Sequence, residues 1–124
     1  MSKRRNMKLN EIYKCNVCGN ILELVTAGGG ELVCCGKPME KLAEKSGEEG
    51  MEKHKPVIEG STVKVGSIPH PMEREHHIEW IEVLDGDNVC RKNLEIVGKP
   101  EAEFCNNEIK IARAFCNIHG LWKN

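Results

Sequence analysis

Four cysteines stand as Cys15-x-x-Cys18, then fifteen residues, then the adjacent pair Cys34-Cys35. Four thiolates at that spacing can surround one tetrahedral metal ion, and this constrains the start of the chain more than any other feature. Neighbouring residues on an ordinary strand point to opposite faces, so Cys34 and Cys35 must occupy a distorted turn to share an ion. Most zinc modules use two Cys-x-x-Cys knuckles, whereas closure by an adjacent pair favours a small iron–thiolate centre. The surrounding residues are sparse in apolar side chains. Ile12-Tyr13-Lys14 approaches the first knuckle, and Gly19 follows Cys18 where a metal-binding turn needs positive φ. Ile21-Leu22-Glu23-Leu24-Val25-Thr26 reads as a short strand, Gly28-Gly29-Gly30 as a turn, and Glu31-Leu32-Val33 as the return. So few apolar groups cannot hold a fold alone. The ion must supply much of the stability, on the order of 10 kcal/mol for a structural site.

The pattern then changes twice. Residues 41 to 53 are charged and punctuated by glycine, the composition of a linker or mobile loop with room for a helical turn. From there on the reading is β. Val57-Ile58-Glu59 and Ser61-Thr62-Val63-Lys64-Val65 flank Gly60, and Ile78-Glu79-Trp80-Ile81-Glu82-Val83-Leu84 ends at the hairpin signal Asp85-Gly86. Residues 89 to 97 supply another strand or two, Ala102-Glu103-Phe104 an edge, and residues 109 to 115 the last strand. Several short strands separated by turn residues predict an antiparallel sandwich. The expected organisation is a metal module over 1–40, a linker and mobile loop over 41–53, and a β-sandwich domain over 54–124. The whole is all-β, and a length of 124 residues suits a metal-stapled module plus one compact unit.

A net charge of −1 and five aromatic residues argue against a nucleic-acid surface, which needs a basic footprint and stacking side chains. Lys3-Arg4-Arg5 reads as a solvated tail. No apolar core follows it as a signal peptide requires, and no apolar stretch approaches the ~18 residues of a membrane span. These readings predict a cytoplasmic protein without membrane contact. In a reducing compartment, seven cysteines are metal ligands and free thiols rather than a disulfide framework. Cys90 and Cys105, next to Val89 and Phe104, read as small half-buried residues.

All five histidines and one further cysteine form a second constellation in the β part. His54 follows Glu52-Lys53, and His70 lies in Ile68-Pro69-His70-Pro71-Met72, where two prolines stiffen the loop and fix a ligand's direction. His76-His77 precedes the Trp80 strand. These two side chains diverge from an extended segment, so only one can ligate. Cys116-Asn117-Ile118-His119 places a thiol and an imidazole three residues apart, within reach of one ion. Imidazole and thiolate together suit iron or zinc.

In order and spacing, these pieces resemble the desulfoferrodoxins, the two-iron superoxide reductases. The likeness runs from Tyr13-Lys14-Cys15 to Leu121-Trp122-Lys123 and takes in Cys15-x-x-Cys18 with Cys34-Cys35, Glu52-Lys53-His54, and Pro69-His70-Pro71-Met72. It continues through His76 with Ile78-Glu79-Trp80-Ile81-Glu82 to Cys116-Asn117-Ile118-His119-Gly120. The resemblance implies two iron ions per chain. One is a ferric rubredoxin-like or desulforedoxin-like centre on Cys15, Cys18, Cys34 and Cys35. The other is a catalytic iron on an immunoglobulin-like sandwich, with His54, His70, His76 and His119 equatorial and Cys116 axial. Members often carry tyrosine after the third histidine, where this chain has His77.

By the same resemblance, superoxide is the substrate and is reduced to hydrogen peroxide at the position opposite Cys116. Lys53 would attract the anion and orient water that delivers protons, and Glu52 would close onto the site after turnover. A small electron donor such as rubredoxin and a homodimeric state are also implied. Two rival readings remain distinguishable. A non-enzymatic rubredoxin-like electron carrier would use the cysteine site alone and leave the histidines unexplained. A zinc-binding interaction module would be colourless.

Overall fold

A computed structural model describes residues 7–106 and 108–124. The basic start Lys3-Arg4-Arg5 lies outside the described residues. The chain divides into two compact units, Met1–Ala43 and Glu44–Asn124.

In the first unit, β1 (Ile12–Lys14) pairs antiparallel with β2 (Ile21–Glu23) on one side. On its other side it pairs with the two-residue strand β5 (Glu40–Lys41). Between them, β3 (Val33–Cys34) and β4 (Lys37–Pro38) form a separate hairpin. The expected strand from Ile21 stops at Glu23, with Leu24 making one more backbone bond to Glu11 before the chain turns off. Buried Tyr13, Cys15 and Met39 form a small cluster with Leu24, Leu32 and Cys34 packed against it. One of its three buried members is therefore a cysteine of the metal-binding set, and burial of Tyr13 and Met39 contributes only about 1.5–3 kcal/mol each.

The second unit opens with one helical turn, α1 (Met51–His54). The hairpin β6 (Pro56–Glu59) and β7 (Thr62–Val65) follows, with Gly60 at φ +64° in its turn. Next come β8 (Ile78–Asp85), β9 (Asn88–Asn93), β10 (Glu101–Glu103), β11 (Ile111–Cys116) and β12 (Gly120–Lys123). They make two antiparallel sheets, ordered β10-β7-β6 and β12-β11-β8-β9. Period-two alternation turns Val63 and Val65 of β7 inward and leaves Thr62 and Lys64 half-exposed. Those valines meet Ile81 and Val83 of β8, Ala112 and Ala114 of β11, and Ala102 with Phe104 in one buried core. This is the expected all-β sandwich. The strand β12 was not anticipated, because four residues after a turn-rich segment carry little periodicity.

Two cysteines differ from expectation. Cys90 and Cys105 are exposed rather than half-buried. Cys90 lies on edge strand β9, where five of six residues are exposed. Phe104 points into the core, so the alternating geometry turns Cys105 outward.

Candidate metal centres

The first site is made by two turns. Cys15 ends the approach from β1, and the chain doubles back through Gly19 at φ +84°, with the Gly19 amide donating to the Cys15 carbonyl at 2.9 Å. The amides of Val17 and Cys18 both donate to Cys15 Sγ at 3.4 Å. In the second turn Cys35 takes φ +53° and Gly36 φ +76°, the left-handed conformation that lets adjacent cysteines face the same point. For a residue with a Cβ this costs about 1–2 kcal/mol, which a bound ion offsets. The four sulfurs lie within 4.8 Å of one another. Cys18 Sγ is 3.6 Å from Cys34 Sγ, which is 4.0 Å from Cys35 Sγ.

Sulfurs each about 2.3 Å from a tetrahedrally coordinated ion stand about 3.8 Å apart, so these edges fit. The two amide bonds pull the Cys15 pKa down to about 6. Cys34, placed to donate toward the Cys18 and Cys15 sulfurs, is pushed up to about 12, and Cys35 is raised beside Cys18. Four thiolates so close repel one another, and a multivalent cation is what lets them ionise together.

The second site draws on four segments of the sandwich. His54 closes α1, and its Nδ1–H donates to the Gly50 carbonyl at 2.9 Å. His70 sits in the loop after β7, its amide held by the Val65 carbonyl at 2.9 Å, and its Nδ1–H donates to the Pro71 carbonyl at 2.7 Å. Because a carbonyl only accepts, both rings must carry their proton on Nδ1 and present a bare Nε2 lone pair. His70 Nε2 and His76 Nε2 are buried and have no hydrogen-bond partner. Unsatisfied buried nitrogens are costly, and a shared cation is the partner that would satisfy both.

The four rings close into a cycle. Centroids are 4.7 Å apart for His54–His70, 4.6 Å for His70–His76, 5.0 Å for His76–His119 and 4.8 Å for His119–His54. The diagonal His54–His76 is 6.3 Å, as in a slightly puckered square. His54 Nε2 and His119 Nδ1 are 3.1 Å apart. Two nitrogens about 2.1 Å from one ion stand about 3.0 Å apart at a right angle and about 3.4 Å apart at the tetrahedral angle, so this pair fits the right angle.

Cys116 enters through an irregularity. The β8–β11 register runs Ala114↔Ile81 and Phe115↔Trp80, then shifts so that Cys116 faces Ile78. This bulge turns both Cys116 and Ile78 toward the core side, the kind of re-aiming that bulges provide beside functional sites. Cys116 Sγ accepts the His119 amide at 3.3 Å and lies 3.8 Å from His119 Nδ1. Ligand atoms of His54, His70, His76 and Cys116 all lie within 4.8 Å of one another. With His119 there are five donors. An ion that accepts six ligands keeps one position open, which is how a reactive site differs from a closed one.

The electrostatics favour ligation. Burial lowers the pKa of His54, and lowers that of His70 to about 4, so both are neutral near pH 7. His76 is lowered by burial and then by the neighbouring charges of His119 and Lys53. Burial raises the Cys116 thiol, with the His119 amide opposing it. That thiol would ionise on meeting a cation. His54 and His70 are buried while His119 is exposed, so the ring is open to solvent on one side.

Glu52 and Lys53 are exposed on α1, immediately before His54. Glu52 borders a cleft of about 450 Å³ with Met51, Lys55 and Ser67. His77 is turned away from the cycle, and its Nδ1–H donates to the Glu73 carbonyl at 2.8 Å. Sequence reasoning missed three supporting residues. Asn117 Oδ1 accepts the His77 amide at 2.9 Å, and its Nδ2 donates to the Glu75 carbonyl at 3.1 Å, tying the Cys116 turn to the His76 loop. Trp122 stacks on His54 at 4.8 Å and 18°. Lys45 donates to the His119 carbonyl at 3.0 Å. Asn117 carried a signal inside Cys116-x-x-His119 and Trp122 one in the matching stretch Leu121-Trp122-Lys123, whereas Lys45 carried none.

Each cluster of donors lies within a region that matches a known family. Residues 46–124 match the family described as Desulfoferrodoxin, and residues 7–42 match Desulfoferrodoxin, N-terminal domain. A desulfoferrodoxin homologue of Archaeoglobus fulgidus is 55% identical over 119 residues, covering 92% of this chain and 95% of that one. One of Methanothermobacter thermautotrophicus is 53% identical over 119 residues, covering 91% and 96%. The crystal structure of the superoxide reductase from Treponema pallidum superposes with a TM-score of 0.72 at 27% identity, covering 99% of each chain. Two matched regions spanning nearly all of the chain, together with its two clusters of donors, place it in the desulfoferrodoxin family.

Proposed function

We propose that this chain is a superoxide reductase, an oxidoreductase that converts superoxide, one electron and two protons into hydrogen peroxide without forming dioxygen. The observation that carries the reading is the square of four imidazoles closed by Cys116, with two buried nitrogens lacking any other partner. Iron fits this donor set, because imidazole and thiolate are borderline-soft and the right-angled nitrogens leave a sixth position. Ferrous iron held by His54, His70, His76, His119 and Cys116 would supply the single electron.

The protein's own groups do the rest. Lys53 presents its charge near His76, where it draws the small anion toward the open side and orients water for proton delivery. The Nδ1–H bonds of His54 and His70 to backbone carbonyls hold both rings in one tautomer and one orientation. The His119 amide on Cys116 Sγ tempers the thiolate's donation. Glu52, a hard carboxylate two residues before His54, would take up the open position after turnover. The stretch 41–53 would serve as the linker between the four-cysteine module of 1–40 and the sandwich domain of 54–124; with Glu44 and Lys45 tied to β11 and β12, its residues 46–53 would be the mobile part that carries Glu52 inward.

The second iron belongs to Cys15, Cys18, Cys34 and Cys35, as a staple for a module with few apolar groups. A homodimer is supported by exposed Val17, Leu22, Val25 and Val33 in that module. A cytoplasmic location fits seven unpaired cysteines, and no helix among the described residues is long and apolar enough to cross a membrane. A small one-electron carrier of the rubredoxin kind would re-reduce the site. The rival reading, a rubredoxin-like electron carrier without catalysis, leaves the histidine square without a purpose.

Metal analysis with visible spectra in both redox states, followed by pulse radiolysis of the reduced protein, tests the proposal. Two irons per chain and one peroxide per superoxide consumed, with no dioxygen, are expected. A colourless zinc protein, or dioxygen released with the peroxide, would refute it.

A further inference from the structure

The segment ahead of α1 reads as linker in the sequence, yet half-buried Lys45 within it is bound to β12 by both its backbone and its side chain. Its amide donates to the Leu121 carbonyl at 2.9 Å, and its own carbonyl accepts the Lys123 amide at 2.8 Å, forming a parallel bridge to Trp122. The preceding Glu44 is paired with buried Arg113 at 3.0 Å, and Arg113 is paired in turn with buried Glu82 at 2.6 Å. So anchored, Lys45 lies with Nζ 5.7 Å from the centre of the Trp122 ring and donates to the His119 carbonyl at 3.0 Å. Trp122 Nε1–H donates to the same carbonyl at 3.1 Å, while its ring stacks on His54. One carbonyl therefore receives two donors, and the peptide it belongs to carries a ligand of the site.

We propose that Lys45 is a positioning residue of the histidine–cysteine site, holding the Cys116–His119 turn by the His119 carbonyl and setting a fixed positive charge beside it. A nearby cation disfavours whichever redox state carries more positive charge. Lys45 therefore stabilises the reduced ion, the form that gives up the electron to superoxide. Its role is distinct from that of Lys53. The charge of Lys53 bears on His76 from the exposed turn of α1, whereas that of Lys45 bears on His54 and Cys116. Residues beyond the ligands commonly tune a metal in this way.

The inference rests on the iron reading of this site, and the test separates the two. In the two-iron protein, Lys45→Gln is expected to lower the ferrous-to-ferric ratio of the histidine–cysteine centre about tenfold at a fixed applied potential, or ~59 mV for a one-electron couple. The thiolate-to-iron absorption of that centre should shift with it. Lys45→Arg keeps the charge and the donor and should restore both. The four-cysteine centre in the same molecule serves as the internal reference and should not move. An unchanged ratio in Lys45→Gln would overturn the inference. So would an equal fall in Lys45→Arg, which would mean lost packing rather than lost charge, or a parallel shift of both centres. Absence of iron from this site in the parent protein would instead sink the proposed function.

Discussion

Gly66 follows the last residue of β7 and lies against the backbone of α1. A Cβ there would stand 2.6 Å from the Glu52 carbonyl oxygen, 2.8 Å from the Lys53 carbonyl carbon and 3.0 Å from the His54 nitrogen. Ordinary contact begins near ~3.5 Å, so Gly66→Ala requires the two main chains to separate by roughly 0.9 Å. All three neighbours are backbone atoms, so no side-chain rotation relieves the clash. Separation also breaks the Ile68 amide bond to the Glu52 carbonyl, now 2.9 Å. Overpacking costs about 1–3 kcal/mol and the lost hydrogen bond about 1 kcal/mol, together about 2–4 kcal/mol. For a unit of this size that lowers the apoprotein Tm by about 10 °C or more. The displaced turn carries Glu52, Lys53 and His54 at once. A misplacement approaching 1 Å in such groups can cost up to ~100-fold in rate, so superoxide capture should slow at least tenfold and the iron absorption should shift. Circular dichroism melting of the metal-free protein and pulse radiolysis of the loaded protein read these separately. Gly98→Ala, whose nearest contact would be an ordinary 3.6 Å, is the control. A Gly66→Ala protein with the parent's melting point, spectrum and rate would show that the close approach of β7 and α1 does not position the site.

Three further outcomes follow from the same geometry. Lys53→Ala should slow superoxide capture about tenfold or more through loss of one steering charge, and an unchanged second-order rate by pulse radiolysis would remove Lys53 from the mechanism. Cys116→Ser should abolish both the thiolate-to-iron absorption and the activity, whereas retained activity would reject Cys116 as a ligand. Cys15→Ser should strip the metal from the first site and destabilise that module while leaving superoxide reduction by the second intact. Loss of superoxide reduction along with the first site's metal would assign the four-cysteine centre a part in the chemistry.

Much of the site was legible because metal ligands are named by chemistry and local spacing. Cys15-x-x-Cys18, Cys34-Cys35 and Cys116-x-x-His119 each close a tight turn, so a few residues determine which atoms can meet. The strong strand at Ile78 and the hairpin signal at Asp85-Gly86 were legible for a related reason, since alternation and turn chemistry are properties of neighbours along the chain. The sequence also determined that Cys34 and Cys35 needed an unusual turn, which the structure supplies with Cys35 at φ +53°. What depends on distant partners was not legible. Whether Cys105 is buried depends on which way edge residues alternate, and whether His76 or His77 faces the ring depends on the loop that Asn117 ties down. The register shift that faces Cys116 with Ile78 exists only once β8 and β11 pair. Lys45 looks like any linker lysine until β12 lies beside it. Local covalent geometry fixes what each residue can offer, whereas packing between remote segments decides which offers converge on one point.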